Sequence, residues 1–394
     1  MDKTRGPDPL DDLLTPQLVD SRRDAPLSVY LHLPWCRRRC GYCDFNTYVH
    51  EPDPAYLVAL KAELTAAAQR LGPRRVSTVF CGGGTPTLLP AQELAGLLAH
   101  IARVFDLDPA AEITTEANPE TLDPVYLREL RQAGFNRLSL GMQSATPHVL
   151  AVLDRQHTPG RAVAAVAWAR QAGFTNVSLD LIYGAPGESA SDWGASLATA
   201  LAAAPDHISA YALTVEPGTP LAARLARDHI PGPQEDDLAD KYLAADAAFE
   251  RAGLGWYELS NWARVAPGQS PPPKACCHNL AYWHSQDWWG AGAGAHSHIA
   301  GVRWWNRRHP GAYASGPPAQ AGEILSPQQR RVERVLLELR LASGLDPARL
   351  TAAEQARLPG FTARGLLVAT DQALVLTPAG RLLADAVVRD LLDA

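Results

Sequence analysis

Three cysteines crowd into the eight residues from Cys36 to Cys43, inside "PWCRRRCGYCDFN", in a chain that has only six. The C-x3-C-x2-C spacing lets three thiolates from one loop converge on a single centre. Two chemistries suit such a set. Zinc normally closes its shell with four ligands, and the nearest candidates for a fourth are His32 and His50. A [4Fe–4S] cluster also takes thiolates, and when three hold it one iron stays open for another ligand. Spacing alone does not choose between them. A second concentration of reactive types runs from Ala275 to Asn306, "ACCHNLAYWHSQDWWGAGAGAHSHIAGVRWWN". Seven of the ten tryptophans lie between Trp256 and Trp305, alongside Cys276, Cys277, His278, His284, His296 and His298.

The elements that must position these residues follow a repeating plan. "LSVYLHL", "RVSTVFC", "AEITTEAN", "FNRLSLGMQ", "TNVSLDLIYG" and "HISAYALTV" read as strands, and each leads into helical sequence over residues 27 to about 225. Asp53-Pro54, Asp123-Pro124 and the stops at Gly134 and Gly173 are the asymmetric signals of helix starts and ends. Six βα units in a row predict a parallel sheet, doubly wound or closed into a barrel. A partial (β/α)6 barrel of the TIM type is favoured by where the unusual residues fall. The cysteine loop, "GGGTPT", Glu116, Gln143, Asp180 and the Tyr211 region all stand at or just past the carboxyl ends of strands, which in a barrel share one mouth.

The remainder divides by composition. Residues 1–26 are acidic and rich in proline, and are expected to form a flexible tail. Residues 226–325 form an aromatic-rich connecting region, and 326–394 a charged helical tail with a short hairpin before a closing helix. Cys81, inside an apolar strand, reads as buried core. With a net charge of −6, 46% hydrophobic residues and no dense basic stripe, the chain lacks the footprint of a nucleic-acid binder. No apolar leader is visible, and no stretch reaches the ~18 consecutive apolar residues of a membrane span. A cytoplasmic protein, with at most peripheral membrane contact, is the expectation. In a reducing compartment six cysteines are too few for a disulfide framework and point to metal or redox chemistry.

"CRRRCGYC", with an aromatic residue before the last cysteine, followed by "GGGTPT", resembles the radical S-adenosylmethionine (SAM) superfamily. More narrowly, "YLHLPWCRRRCGYCDFN", "FCGGGTPTLL", "TEANPETL", "LSLGMQSATPHVL", "LDRQH" and "LDLIYGAPGE" resemble the oxygen-independent coproporphyrinogen oxidase family and its HemW heme-chaperone branch. The resemblance implies that Cys36, Cys40 and Cys43 hold a [4Fe–4S] cluster whose open iron is chelated by SAM. Tyr42 and Tyr30 would lie beside the cofactor, with Gly83, Gly84 and Thr85 at its methionine end. Glycines there would let backbone donors approach a carboxylate closely. Glu116, Gln143, Arg155 and Asp180 match further contact positions, and Ala212 and His296 two more. The carboxy-terminal region resembles the family's small winged-helix-like domain.

Phe45 stands where the oxidising branch carries a fourth cysteine, and the first strand begins only about 27 residues into the chain, short of that branch's amino-terminal extension. Both departures point to the chaperone branch, which "HNLAYW" also resembles. The expected function is to bind heme and pass it to an acceptor apoprotein, with a flavodoxin- or ferredoxin-like reductant. The alternatives are coproporphyrinogen III oxidation and another radical SAM reaction. Aromatic walls mixed with imidazole and thiol groups suit a porphyrin, and His278, with Cys276 behind it, is the expected iron ligand.

Overall fold

The computed structural model describes residues 9–156, 158–230 and 232–392; His157, which ends "LDRQH", lies outside them. Among the described residues, one twelve-stranded sheet organises the chain. Its centre is β1 (Leu27–Leu33), β2 (Arg75–Gly83), β3 (Asp106–Ala117), β4 (Arg137–Gln143), β5 (Asn176–Tyr183) and β6 (His207–Ala212). These six are neighbours in chain order and pair in parallel throughout. The crossovers run through α1 (Pro54–Leu71), α2 (Ala91–Val104), α3 (Pro124–Ala133), α4 (Arg161–Ala172) and α5 (Ala190–Ala202). This is the six-unit partial barrel that the alternating pattern implies.

Local chemistry sets the boundaries. The Asp53 carboxylate accepts from the Ala55 amide, and Asp123 accepts from Val125 and Tyr126, each capping a helix that opens on proline. Gly134 (φ 112°) and Gly173 (φ 94°) take the left-handed conformation that ends α3 and α4. Leu27, Val29, Leu31 and Leu33 of β1 are wholly buried, as expected of a parallel strand covered on both faces.

The connecting region departs from expectation. It does not bridge two bodies; its strands extend both edges of the barrel sheet. Beyond β6 come β7 (Leu254–Glu258) and β8 (Asn261–Arg264), in the order β6-β8-β7, with α6 (Glu235–Arg251) packed against them. Beyond β1 lies β9 (Asp287–Ala291), parallel to it, then antiparallel β10 (His296–Ile299), β11 (Val302–Asn306) and β12 (Ala319–Ile324). Trp262, Trp289 and Trp304 are at most 2% exposed, so much of the aromatic enrichment is core packing. A buried carboxylate ties the added strands to α1. Glu63 accepts from Tyr313 Oη (2.6 Å), Asn306 Nδ2 (2.8 Å), the Gly292 amide (3.0 Å) and Trp289 Nε1 (3.3 Å).

The flexible-tail expectation also fails within the described residues. Leu10–Leu13 and Pro16–Ser21 are helical, and Leu10 and Leu14 are buried in the main core. Arg22 and the buried Arg74 both pair with Asp287 of β9, at 3.0 and 2.9 Å. Residues 1–8 lie outside the described set. At the other end, α7 (Cys277–Trp283) packs under β2, and α8 (Pro327–Glu338) begins a small unit with its own core around Val335, Leu339, Phe361 and Leu391. Arg381 fastens that unit to the barrel, paired with Asp246 and lying 4.6 Å over the Trp256 ring.

Candidate functional site

A cavity of about 1500 Å³ opens at the carboxyl ends of β1 to β6. The loop leaving β1 brings Cys36, Cys40, Tyr42 and Cys43 to it; the β2 end brings Gly83, Gly84 and Thr85. Tyr30, Glu116, Gln143, Arg155, Asp180 and Ala212 complete the wall. Cys81, by contrast, is buried in the core.

The cysteine loop is held from several sides. The Tyr48 amide donates to Pro34 O (2.7 Å), and the Gly41 amide donates to Leu153 O (3.2 Å). Asn46 Nδ2 donates to the carbonyls of Ala293 and Arg308, bracing the loop against the strands added beyond β1. Arg155 Nη1 lies 3.4 Å from Cys40 Sγ, and Thr85 Oγ1 lies 4.0 Å from Cys36 Sγ. Burial pushes the Cys36 and Cys43 thiols up, with the neighbouring cysteines adding to it. Among the described residues no three His, Cys, Asp or Glu side chains are grouped to hold a single metal ion. In a cluster each thiolate binds a different iron, so three cysteines of one loop can hold it and leave one iron open.

The glycine run works differently from its expected part. The Gly83 amide donates to Glu116 Oε2 (3.1 Å), that of Gly84 to Leu33 O (2.8 Å) and that of Thr85 to Trp35 O (2.8 Å). These donors are already used. The glycines are required by close approach instead: a Cβ at Gly84 would stand 2.4 Å from Trp35 O, and one at Gly83 would stand 2.5 Å from the His32 ring. The run therefore seats the cysteine loop against β2.

Polar groups deeper in the cavity are set up for a cationic ligand. Burial, reinforced by Asp180, pushes Glu116 up to about 7. Asp180 is also raised by burial, while the hydroxyls of Ser139, Ser178 and Ser209 donate to it and pull the other way. Arg137, buried in the same cavity, pulls both carboxyls down; two carboxyls beside one guanidinium leave room for one further positive charge, and SAM carries a sulfonium. Gln143 has φ 66° where the β4–β5 register slips, a strained backbone of the kind that aims a side chain at a site. The serine trio was not singled out in the sequence. Its signal was Ser178 two residues before Asp180, on the same face of a strand.

His278 and Cys276 sit at the floor of the cavity, and their surroundings argue against iron ligation. His278 is 2% exposed, its Nδ1 bonded to Thr78 Oγ1 (2.7 Å) and its Nε2 to Tyr282 Oη (2.8 Å). Its ring stacks on Phe80, and burial lowers its pKa to about 3. Cys276 is buried with its thiol 3.5 Å from Glu112, and burial raises its pKa strongly. The Cys277 and His278 amides also donate to Glu112, and Asn279 donates to Glu258. "HNLAYW" thus forms a satisfied plug under the barrel. His296 is not at this cavity; it is exposed on β10, stacked on Trp305. Phe45 is 64% exposed on the cavity wall.

Comparison with known proteins adds the following. The Radical SAM superfamily profile matches residues 30–200, and that of the HemN C-terminal domain matches residues 325–383. The heme chaperone HemW of Mycobacterium tuberculosis is 50% identical over 378 residues, covering 93% of this chain and 95% of that protein. HemW of Bacillus subtilis is 32% identical over 378 residues, covering 91% and 97%. Among solved structures, the coproporphyrinogen III oxidase HemN from Escherichia coli, a radical SAM enzyme, superposes with a TM-score of 0.81 at 25% identity, covering 95% of this chain and 92% of that one.

Proposed function

Because the chain belongs to the HemW family of radical SAM proteins, we infer that it is a heme chaperone, which binds heme and hands it to an acceptor apoprotein. The observation that carries this reading is the near full-length match to heme chaperones at 50% identity, against 25% for the oxidase. Phe45, in place of a fourth cysteine, supports it.

The family's cofactors are a [4Fe–4S] cluster and SAM, which together supply one-electron chemistry when bound. Cys36, Cys40 and Cys43 would hold the cluster through three irons, and Arg155 would offset the thiolate charge beside Cys40. Glu116 and Asp180 would hold the cationic part of SAM. The packing of Gly83 and Gly84 would fix the distance between the cysteine loop and β2, so that both ligands share one geometry.

The partners proposed are heme, an acceptor apoprotein and a one-electron donor of the flavodoxin or ferredoxin kind. Among the described residues no helix is long and apolar enough to cross a membrane, and we place the protein in the cytoplasm with at most peripheral membrane contact. The test is a single anaerobically reconstituted preparation, titrated with heme and separately assayed for coproporphyrinogen III turnover with SAM and dithionite. Heme binding without decarboxylation is expected. Decarboxylation above background, or no heme binding, overturns the reading.

A further inference from the structure

Asp180 is reached from below by a run of hydrogen bonds that starts outside the barrel. Ser178 lies two residues before it on the same face of β5 and pairs in register with His207 of β6. Ser178 Oγ stands 2.8 Å from His207 Nδ1 and 3.4 Å from Asp180 Oδ1. His207 Nε2 stands 2.8 Å from the hydroxyl of Tyr257, which comes from β7, one of the strands added beyond β6. Ser178, His207 and Tyr257 are each at most 2% exposed, so these partners decide where their protons go.

The proton order along the run is set at its far end. Tyr257 Oη accepts from the Cys276 amide and from Asn279 Nδ2, each at 3.4 Å. The Asn279 amide is fixed in that sense because Nδ2 also donates to Glu258 Oε1 (3.0 Å). The Tyr257 hydroxyl then has one proton to give, and His207 Nε2 is the acceptor within reach. His207, kept neutral because burial and the charge of Arg137 lower its pKa well below the ordinary value, carries its proton on Nδ1 and donates it to Ser178. Ser178 in turn donates to Asp180. Each donor on the path points toward the carboxylate. There Oδ1 accepts from Ser139, Ser178 and Ser209, while among the described residues Oδ2 accepts from Ser139 alone. Oδ2 is the atom with capacity left for a ligand.

We propose that Tyr257 and His207 are positioning residues for the cofactor, which orient the Ser178 proton onto Asp180 Oδ1 and so keep the carboxylate ionised, with Oδ2 presented to the cationic part of SAM. The proposal rests on the placement of SAM at Glu116 and Asp180, and brings a residue from outside the barrel into the working of its mouth. Without the Tyr257 hydroxyl the His207 tautomer is no longer fixed, and a proton on Nε2 would let Nδ1 accept from Ser178, which takes one donor away from Asp180. Losing a donor to the charged form raises a carboxyl pKa. The other groups facing Asp180 stay as they are: Glu116 on β3 opposes its charge, Arg137 on β4 favours it, and Tyr211 on β6, its own pKa raised, is neutral.

The test is a double-mutant cycle on SAM binding to the cluster-loaded full chain, read by calorimetry between about pH 6 and pH 8. Tyr257→Phe keeps the ring and removes the hydroxyl; Ser178→Ala removes the last donor. Each is expected to weaken SAM binding roughly 3- to 10-fold, as for one long hydrogen bond to a charged group. The loss should be larger at the acid end, where a raised Asp180 pKa leaves less of the carboxylate ionised. The two changes together should weaken binding no further than either alone, although Tyr257 and Ser178 meet only through His207. His207→Ala, a second way to cut the run, should show the same non-additivity with Ser178→Ala. A purely structural role would instead lower the urea midpoint and let the losses multiply to roughly 10- to 100-fold in the double variant. Multiplied losses, or wild-type affinity and pH dependence in Tyr257→Phe, would overturn the proposal and leave the placement of SAM standing. A wild-type chain that takes up its cluster and binds no SAM would overturn both.

Discussion

Around the mouth of β1 to β6, Cys36, Cys40, Cys43, Glu116 and Asp180 face an open cavity, and burial holds both carboxyls up although Arg137 and, at Asp180, three serine hydroxyls pull the other way. Where the strands added beyond β1 meet α1, Glu63 of that helix collects four donors, Asp287 pairs with two arginines, and Trp289 and Trp304 are buried against each other. Both regions are rich in residue types that do chemistry. They differ in whether the protein itself uses those groups. Where buried polar groups spend their bonds on one another away from any cavity, the residues hold the fold; where titratable groups with shifted pKa line an open cavity, they are placed for a ligand. By that criterion His278, both of whose ring nitrogens are hydrogen-bonded, belongs with the scaffold.

Three substitutions sharpen this contrast. The largest effect is expected on the scaffold side. Asp287→Ala leaves Arg74, itself 1% exposed, without its counter-ion, and removing one partner of a buried pair costs about 3–5 kcal/mol. Urea denaturation should show that loss, and an unchanged midpoint would mean that the pair does not hold the amino-terminal segment and β9 together.

On the site side the effect is on binding and depends on pH. Glu116 must be ionised to attract the cationic part of SAM, and its pKa is pushed up to about 7 by burial and Asp180. SAM affinity of the cluster-loaded protein should therefore tighten about tenfold between about pH 6 and pH 8, as the ionised fraction rises. Glu116→Gln should flatten that dependence in a calorimetric titration. For folding the sign is opposite. A carboxyl whose pKa is raised on folding contributes stability below its ordinary value of 4.5, and that contribution fades as pH rises through about 7. Equal slopes in wild type and variant would remove Glu116 from the binding site.

The smallest effect is expected at Phe45. Exposed as it is, its replacement by cysteine should leave stability near wild type, since surface changes usually stay within about 0.5 kcal/mol. It should yield no coproporphyrinogen oxidation, because the remaining chain is built as a chaperone. Product formation by Phe45→Cys would mean that one residue separates the two branches.

The barrel and its mouth were legible because their signals are local. Asp53, Asp123, Gly134 and Gly173 act within a turn of themselves, and the alternation of strand and helix fixes the parallel order. The cysteine spacing and "GGGTPT" lie at strand ends, so position along the chain gives position in space. The role of the glycines was misread, since only the structure shows Gly84 pressed against Trp35 O. The tryptophan-rich stretch was harder for a physical reason. A strand joining a sheet edge some 250 residues away leaves no local mark of its partner, as when Leu27 pairs with Asp287. Buried and exposed tryptophans are the same letter. The helical amino-terminal segment was missed because its reason for folding, the burial of Leu10 and Leu14 and the Arg22–Asp287 pair, is tertiary.

The comparison between the two regions is tested most directly by reconstituting wild type and a Cys36→Ala, Cys40→Ala, Cys43→Ala variant with iron and sulfide without oxygen, then titrating both with heme. Iron and sulfide analysis should find a four-iron cluster in wild type and none in the variant, while the Soret band and heme affinity of the two agree. A variant that still holds four irons, or one that loses heme together with the cluster, would contradict the account.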